Sequence, residues 1–372
     1  MRLALVHDWL NQLGGAEDVL ETLVRVFPDA PIHTSIYWRD KMPARFAAWD
    51  IRTTWLDRAP AVYRHHRAYL PLYAMAFGGL DLSEYDLVLS NKSGFCHGVR
   101  SGSAPHVCYC LAPTRYVWEY DRYTAREAMP AAATAALRPV ISLLRRWDYQ
   151  AAQRVTRFVA ISHAVQSRIQ STYGRSSAII HPPVDTSLFG GARAGSANMA
   201  EPYYLIVSRL VAYRGLDDAV RAFNKLDQQL VIAGEGPDRA RLEAIAGPKI
   251  RFLGRVSERD LPGLFAGCRA YVLPGEEDFG IAPVQAQAAG RPVVALAAGG
   301  ALDTVVDGVT GTLYREDSAD ALAEAVGSFD PSRFDPDMCQ RNARRFDTQV
   351  FVEKIRRCVY DSGGEHQGPG AT

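Results

Sequence analysis

Charge of one sign, zinc-type cysteine pairs, a full dinucleotide fingerprint and a long apolar opening are all missing from this chain. Lys and Arg number 42 against 41 Asp and Glu, so the formal net charge is +1. That balance gives no overall reason to expect nucleic acid or another polyanion as a partner. The six Cys, at 96, 108, 110, 268, 339 and 358, show no two-residue spacing of the kind zinc sites use. Cys108 and Cys110 straddle Tyr109 in a strand-like run and share one face, where they read as small buried apolar residues of a reducing compartment. The apolar run in MRLALVHDW is too short for a signal-peptide core or a membrane span, and reads as a first strand. A cytoplasmic protein without structural metal is expected.

What is present is an α/β alternation. At 372 residues, with 48% hydrophobic and 22% charged residues, the chain is soluble-globular in composition and long enough for two domains. LALV (3–6) is a strand, HDWLNQLGG (7–15) a loop, and 16–26 a helix with Val19, Leu20, Leu23 and Val24 on one side. Gly14 and Gly15 suit a tight turn and close approach of a ligand. Further strands are expected at 32–37, 87–90, 106–110, 158–162 and 177–181, with a helix over 164–173. The pattern restarts with strands at 204–207, 229–233, 250–253 and 270–273 and helices at 216–225, 239–246 and 260–266. Helices over 320–326 and 349–359 close it. Such alternation predicts parallel, doubly wound sheets.

Domain limits follow from composition. An N-terminal domain is expected over 1–190, and GGARAGSANMA at 190–200 has the small, weakly apolar character of a linker. The second domain is expected over 201–348, a terminal helix over 349–361, and a disordered tail over 362–372. Two segments, 58–79 and 137–157, interleave Arg and His with aromatic and aliphatic residues. Either they meet an anionic membrane surface or they are core helices with a solvated basic face.

The stretch PGEEDFGIAPVQAQAAG (274–290) carries the chemistry. It lies between two apolar strands, and Pro283 suits the first turn of a helix while Gly290 suits its exit. A loop at a strand's carboxyl end that runs into a helix amino terminus is where open α/β sheets bind ligands, and its free N–H groups favour an anion. Glu277 can accept hydrogen bonds from sugar hydroxyls, and Gly280 lets backbone approach the ligand. The single Asp-x-Asp, 335–337, reads as a turn or helix start rather than a metal-diphosphate site.

PGEEDFGIAPVQAQAAGRPVVA resembles the donor motif of retaining glycosyltransferases of family 4, in which two acids flank a Phe-Gly core. HDWLNQLGGAE, VSRL (207–210), AYRG (212–215), IAGEGP (232–237), FLGRVS (252–257) and GGALDTVVDGVTG (299–311) stand in that family's order, so the likeness covers nearly the whole chain. It implies the GT-B fold: two facing Rossmann-like domains with parallel sheets and a central cleft, the nucleotide sugar held by the second and the acceptor by the first, and the last helix returning to the first domain. It implies no cofactor and no metal, since the nucleotide sugar is a substrate.

Residue by residue, the resemblance assigns Arg209 to the diphosphate, and Arg214 too, where the family usually has lysine. Glu277 takes the place of the first acid. Gln285 stands for the second, and an amide lacks the charge that strengthens bonds to ribose hydroxyls. The backbone of Phe279, Gly280 and Ile281 is expected against sugar and phosphate, and Gly14 and Gly15 against the diphosphate. YCLAPTRYVWEYDRY (109–123) resembles a family segment in which His often occupies the position of Leu111. Arg115 within it, and His97 as a substitute imidazole, are candidates for contacting sugar or acceptor.

HDWL and EEDFG look most like the branch that transfers mannose from GDP-mannose to lipid-linked intermediates of surface polysaccharide. The expected partners are therefore a nucleotide sugar, a lipid-linked saccharide and the inner face of a membrane. A UDP-sugar donor and a non-catalytic binding partner stay open as alternatives, the second because of Gln285. A nucleotide-sugar epimerase shares the architecture, but its signatures are not present.

Overall fold

The computed structural model describes residues 1–121, 124, 130–191 and 201–364. The expected linker residues 192–200 and the tail residues 365–372 lie outside them, as do Arg122 and Tyr123 of the 109–123 segment. The chain divides into two compact units, one of residues 1–181 with the chain from Phe351 on, the other Pro182–Val350.

The first unit is built on seven strands: β1 (Leu3–His7), β2 (Ile32–Thr34), β3 (Ile51–Thr53), β4 (Leu87–Lys92), β5 (His106–Cys110), β6 (Arg157–Ala160) and β7 (Ser177–Ile179). Their order is β3-β2-β1-β4-β5-β6-β7, all parallel. Every residue of β1, β4 and β5 is buried, as a sheet covered on both faces requires. Strand order reverses between β1 and β4, so the loops leaving those two strands flank a topological switch point.

Helices of this unit include α1 (Gly15–Val26), α2 (Leu70–Gly78), α3 (Arg115–Trp118), α4 (Ala131–Arg154) and α5 (His163–Tyr173). The second strand is shorter than expected. After Thr34 the chain leaves β3, and Tyr37 bridges Leu10 instead. The segment 58–79 is several short helical pieces, broken where Ala61 takes a left-handed conformation at φ 52°.

The second unit has six strands: β8 (Tyr203–Val207), β9 (Gln229–Ala233), β10 (Ile250–Gly254), β11 (Ala270–Leu273), β12 (Val293–Leu296) and β13 (Gly311–Tyr314). Their order is β10-β9-β8-β11-β12-β13, again all parallel, with the switch point between β8 and β11. Its helices include α6 (Leu216–Asn224), α7 (Ile281–Ala288) and α8 (Pro336–Arg344). Two short strands, β3 and β13, carry too few apolar residues to be read from the sequence.

The boundary differs from the one composition suggests. Residues 182–190 belong to the second unit, because Val184 N–H donates to the Phe346 carbonyl at 3.0 Å and the Phe189 ring packs on Phe265 at 5.5 Å. The last helix, α9 (Thr348–Gly364), belongs to the first unit from Phe351, whose ring meets Tyr109 at 5.6 Å. All six cysteines are free and buried. No described helix is long and apolar enough to cross a membrane.

Candidate active site

In the second unit the predicted residues converge on the switch point. Arg209 and Arg214 lie on the connection from β8 to α6, and Glu277 on the loop from β11 to α7. Arg214 and Glu277 form an ion pair, Nη1 to Oε1, with both side chains largely covered. Burial, the largest single influence, would lower the arginine's pKa, but the Glu277 carboxylate together with Tyr213 and Tyr271 raises it. The Arg214 Nε is buried without a hydrogen-bond partner. Arg209 is exposed.

Close backbone contact makes this pairing possible. A Cβ on Gly275 would lie 2.8 Å from the Arg214 carbonyl oxygen, so only glycine lets the two loops touch there. Gly280 precedes α7 with φ 88°, a left-handed conformation that releases the chain from loop to helix. Phe279 is 3% exposed, and its ring packs on Phe346 at 5.5 Å. Ile281 and Gln285 are half-buried on α7.

The turn after β12 fixes the loop from the other side, a role that the sequence motif alone did not reveal. Gly300 N–H donates to the Glu277 carbonyl at 2.8 Å, and a Cβ on Gly300 would stand 2.2 Å from the Phe279 Cα. Beneath α7, the Gln287 amide donates to the Thr304 carbonyl at 2.8 Å, and the Asn342 amide donates to Gln287 Oε1 at 2.6 Å. Helix α7 is thereby tied to α8 by satisfied, buried polar groups.

In the first unit Gly14 and Gly15 do open α1, but Gly14 has an extended backbone at φ −175°. Its glycine identity is therefore not demanded by backbone conformation. What it offers is space, since a Cβ there would meet only Glu17 Oε2, at 3.5 Å. Asp8, which the sequence reading passed over, ties the two switch-point loops together. Its carboxylate accepts from the N–H groups of Ser93 at 2.7 Å, Gly94 at 2.6 Å and Cys96 at 2.8 Å. An acid directly after a first strand and before a glycine loop was the available signal.

His7 has a similar bridging place. The Asn91 amide donates to its Nδ1 at 3.3 Å, so the proton sits on Nε2 and points at Glu17 Oε1, 3.4 Å away.

His97 requires a correction. It is fully buried, its Nε2 donates to the Asp148 carbonyl at 3.3 Å, and its ring packs on Trp147 and Tyr173. Burial and nearby Lys92 push its pKa down to about 3, so it is a neutral core imidazole with no surface for an acceptor. Arg115 is half-buried as the first residue of α3, at the carboxyl end of β5. Asp335 of the Asp-x-Asp triplet caps α8, accepting from Asp337 N–H at 2.9 Å. Among the described residues no group of three or more His, Cys, Asp or Glu is placed to hold a metal ion.

Comparison with known proteins accounts for this arrangement. A family model described as "Glycosyltransferase Family 4" matches residues 13–188, and one described as "Glycosyl transferases group 1" matches residues 192–346. A GDP-mannose-dependent alpha-(1-6)-phosphatidylinositol monomannoside mannosyltransferase of Mycolicibacterium smegmatis is 34% identical over 202 residues, 46% of this chain and 53% of that protein. D-inositol 3-phosphate glycosyltransferase of Mycobacterium tuberculosis is 30% identical over 200 residues, 48% of this chain and 42% of that protein. The matches thus span about half the length of these relatives.

Among solved structures, sucrose-phosphate synthase from Thermosynechococcus elongatus superposes with TM-score 0.76 at 17% identity, covering 98% of this chain and 100% of that one. The Anabaena protein HepE in complex with UDP-glucose gives 0.72 at 18%, covering 97% and 100%. At such identities the likeness speaks for the fold alone. With both sheets, both switch points and a family match on each half, the chain belongs to the family 4 glycosyltransferases of the GT-B fold.

Proposed function

We propose that this chain is a retaining, metal-independent glycosyltransferase that moves mannose from GDP-mannose to a lipid-linked saccharide in surface polysaccharide or O-antigen assembly. The observation that carries the reading is the Arg214–Glu277 pair at the carboxyl ends of β8 and β11. It joins a cation suited to a diphosphate with an acid suited to neutral hydroxyls. The mannosyl donor is supported by the relative described as GDP-mannose-dependent, and by the HDWL and EEDFG motifs.

In this reading the second unit binds the donor and the first the acceptor. Arg209, Arg214 and the amino end of α7 stabilise charge developing on the leaving diphosphate, usually the largest catalytic contribution. Glu277 orients the sugar through its hydroxyls. The leaving phosphate accepts the acceptor's proton on the same face, which retains the anomeric configuration. Membrane association is supported by α4, where Leu143 at 68% exposure, Leu137 and Tyr149 stand exposed with Arg138 and Arg146.

Calorimetric titration with GDP, UDP, GDP-mannose and UDP-glucose tests the donor, with Glu277→Ala as control. Preference for guanine nucleotides supports the proposal. Preference for uridine nucleotides would replace the donor and keep the reaction class, a second reading favoured by the UDP-glucose complex of HepE. No binding at all would favour a non-catalytic partner. Loss of turnover in EDTA would reject metal independence, and failure to bind anionic liposomes would count against the membrane site.

A further inference from the structure

Beneath the carboxyl ends of β4 and β5 lies a fully buried polar cluster that the proposed chemistry does not use. Lys92, Thr114 and Asp148 are each 0% exposed. The Lys92 ammonium donates to the Ala112 carbonyl and to Thr114 Oγ1, both at 3.2 Å, and lies 5.7 Å from the centre of the Tyr173 ring. The Asp148 carboxylate accepts from Thr114 Oγ1 at 2.8 Å, Trp118 Nε1 at 2.7 Å and Tyr173 OH at 2.7 Å. Thr114 therefore stands between a buried cation and a buried anion. Its hydroxyl accepts from one and donates to the other.

Four of these six contacts fall on the same short piece of chain, residues 112–118. Helix α3 has only four residues, too few to be stable alone. Thr114 precedes it, yet its side chain makes no capping bond and points down to Asp148 instead. Trp118 ends the helix and is also held by Asp148, while Arg145 Nε, on α4, donates to the Val117 carbonyl at 2.8 Å. Burying a lysine and an aspartate costs several kcal/mol per ion and is weak evidence for stability.

We propose that Asp148, Thr114 and Lys92 are positioning residues for the acceptor: they lock the turn 112–118 and so set Arg115 at the ligand-binding end of the first unit's sheet. The inference rests on the reading that this unit takes the acceptor. It assigns the cluster an effect on acceptor use and none on donor use.

The test uses the full chain with three readouts: transfer to a synthetic prenyl-diphosphate disaccharide, hydrolysis of GDP-mannose without acceptor, and GDP-mannose affinity by calorimetry. Asp148→Asn and Thr114→Val are expected to raise the acceptor KM about tenfold or more, with donor hydrolysis and affinity within about twofold of wild type. Thr114→Ser, which keeps the hydroxyl, is expected to restore the acceptor KM. Equal losses on donor and acceptor sides, or no change on either, would overturn the proposal. Should Asp148→Asn not fold, the Thr114 pair carries the test alone.

Arg115→Ala separates this inference from the reading beneath it. If it leaves acceptor use intact while Thr114→Val impairs it, positioning stands and another side chain of the turn makes the contact. If wild type transfers nothing to this acceptor, the reading of the substrate fails, and amide exchange then decides the positioning. Selective acceleration over residues 112–118 in Thr114→Val supports it, and an unchanged exchange pattern rejects it.

Discussion

The guanidinium of Arg214 rests on the carboxylate of Glu277, joining the loop that leaves β8 to the loop that leaves β11. Each residue is the other's counter-ion. In the proposed donor reading, a diphosphate and a sugar meet charges that are paired with each other, so the two subsites are energetically linked.

That linkage predicts non-additivity. Glu277→Gln should cut transfer by about 100-fold or more, as loss of a group that acts in the transition state does. Arg214→Met should weaken GDP binding about tenfold. The double variant should lose less than the two single losses combined, with a coupling above about 0.5 kcal/mol. Initial rates and calorimetric titration on the four proteins measure it, and strict additivity would contradict the pairing.

Gln285→Glu should strengthen donor binding. A carboxylate accepts charge-assisted bonds from ribose hydroxyls that are roughly twice as strong as those to an amide. A fall of about threefold or more in the donor Kd is expected, and an unchanged or weaker affinity would show that Gln285 does not meet the nucleotide.

Gly300→Ala should impair donor binding about tenfold, because its methyl group would stand 2.2 Å from the Phe279 Cα and displace the donor loop. Gly308→Ala is the control. Its φ of 73° puts about 1 kcal/mol of backbone strain on an alanine, which Gly300 at φ −71° does not, and no atom lies within 4 Å of its Cβ position. Melting temperature should fall for both, and donor affinity for Gly300→Ala alone.

Three histidines make stability depend on pH. Burial, the largest cause in each case, lowers His97 and His106 to about 3 and His33 to about 4. The unfolded chain takes up these protons near pH 6.5 while the folded chain refuses them, so stability is full above pH 6.5 and is lost as pH falls toward 4. The slope is at most about 1.4 kcal/mol per pH unit for each histidine. Urea unfolding at pH 7.5, 6 and 5 checks this, and equal stability at all three would refute the burial of these rings as neutral groups.

Much of the architecture was legible because its signals are local. Buried parallel strands appear as short apolar runs, amphipathic helices as a 3.6-residue repeat, and the donor loop as an acid-rich turn between two such strands. The weak signals failed where the chain is short or shared. Strand β3 is mostly exposed, and residues 182–190 look like first-domain chain until Val184 is seen to pair with residues near Phe346.

The sequence by itself determined two α/β units, an acid-rich loop with Glu277 between two strands, and arginines at 209 and 214 after the first strand of the second unit. Only the tertiary structure decided that Arg214 and Glu277 pair, that Asp8 spans two loops, that His97 is core, and that Asp148 binds Thr114 and Trp118 on either side of Arg115. The physical reason is that these are contacts between residues far apart in the chain. Local pattern fixes which residues face inward, whereas partners for buried charges are chosen by how the sheets order their strands.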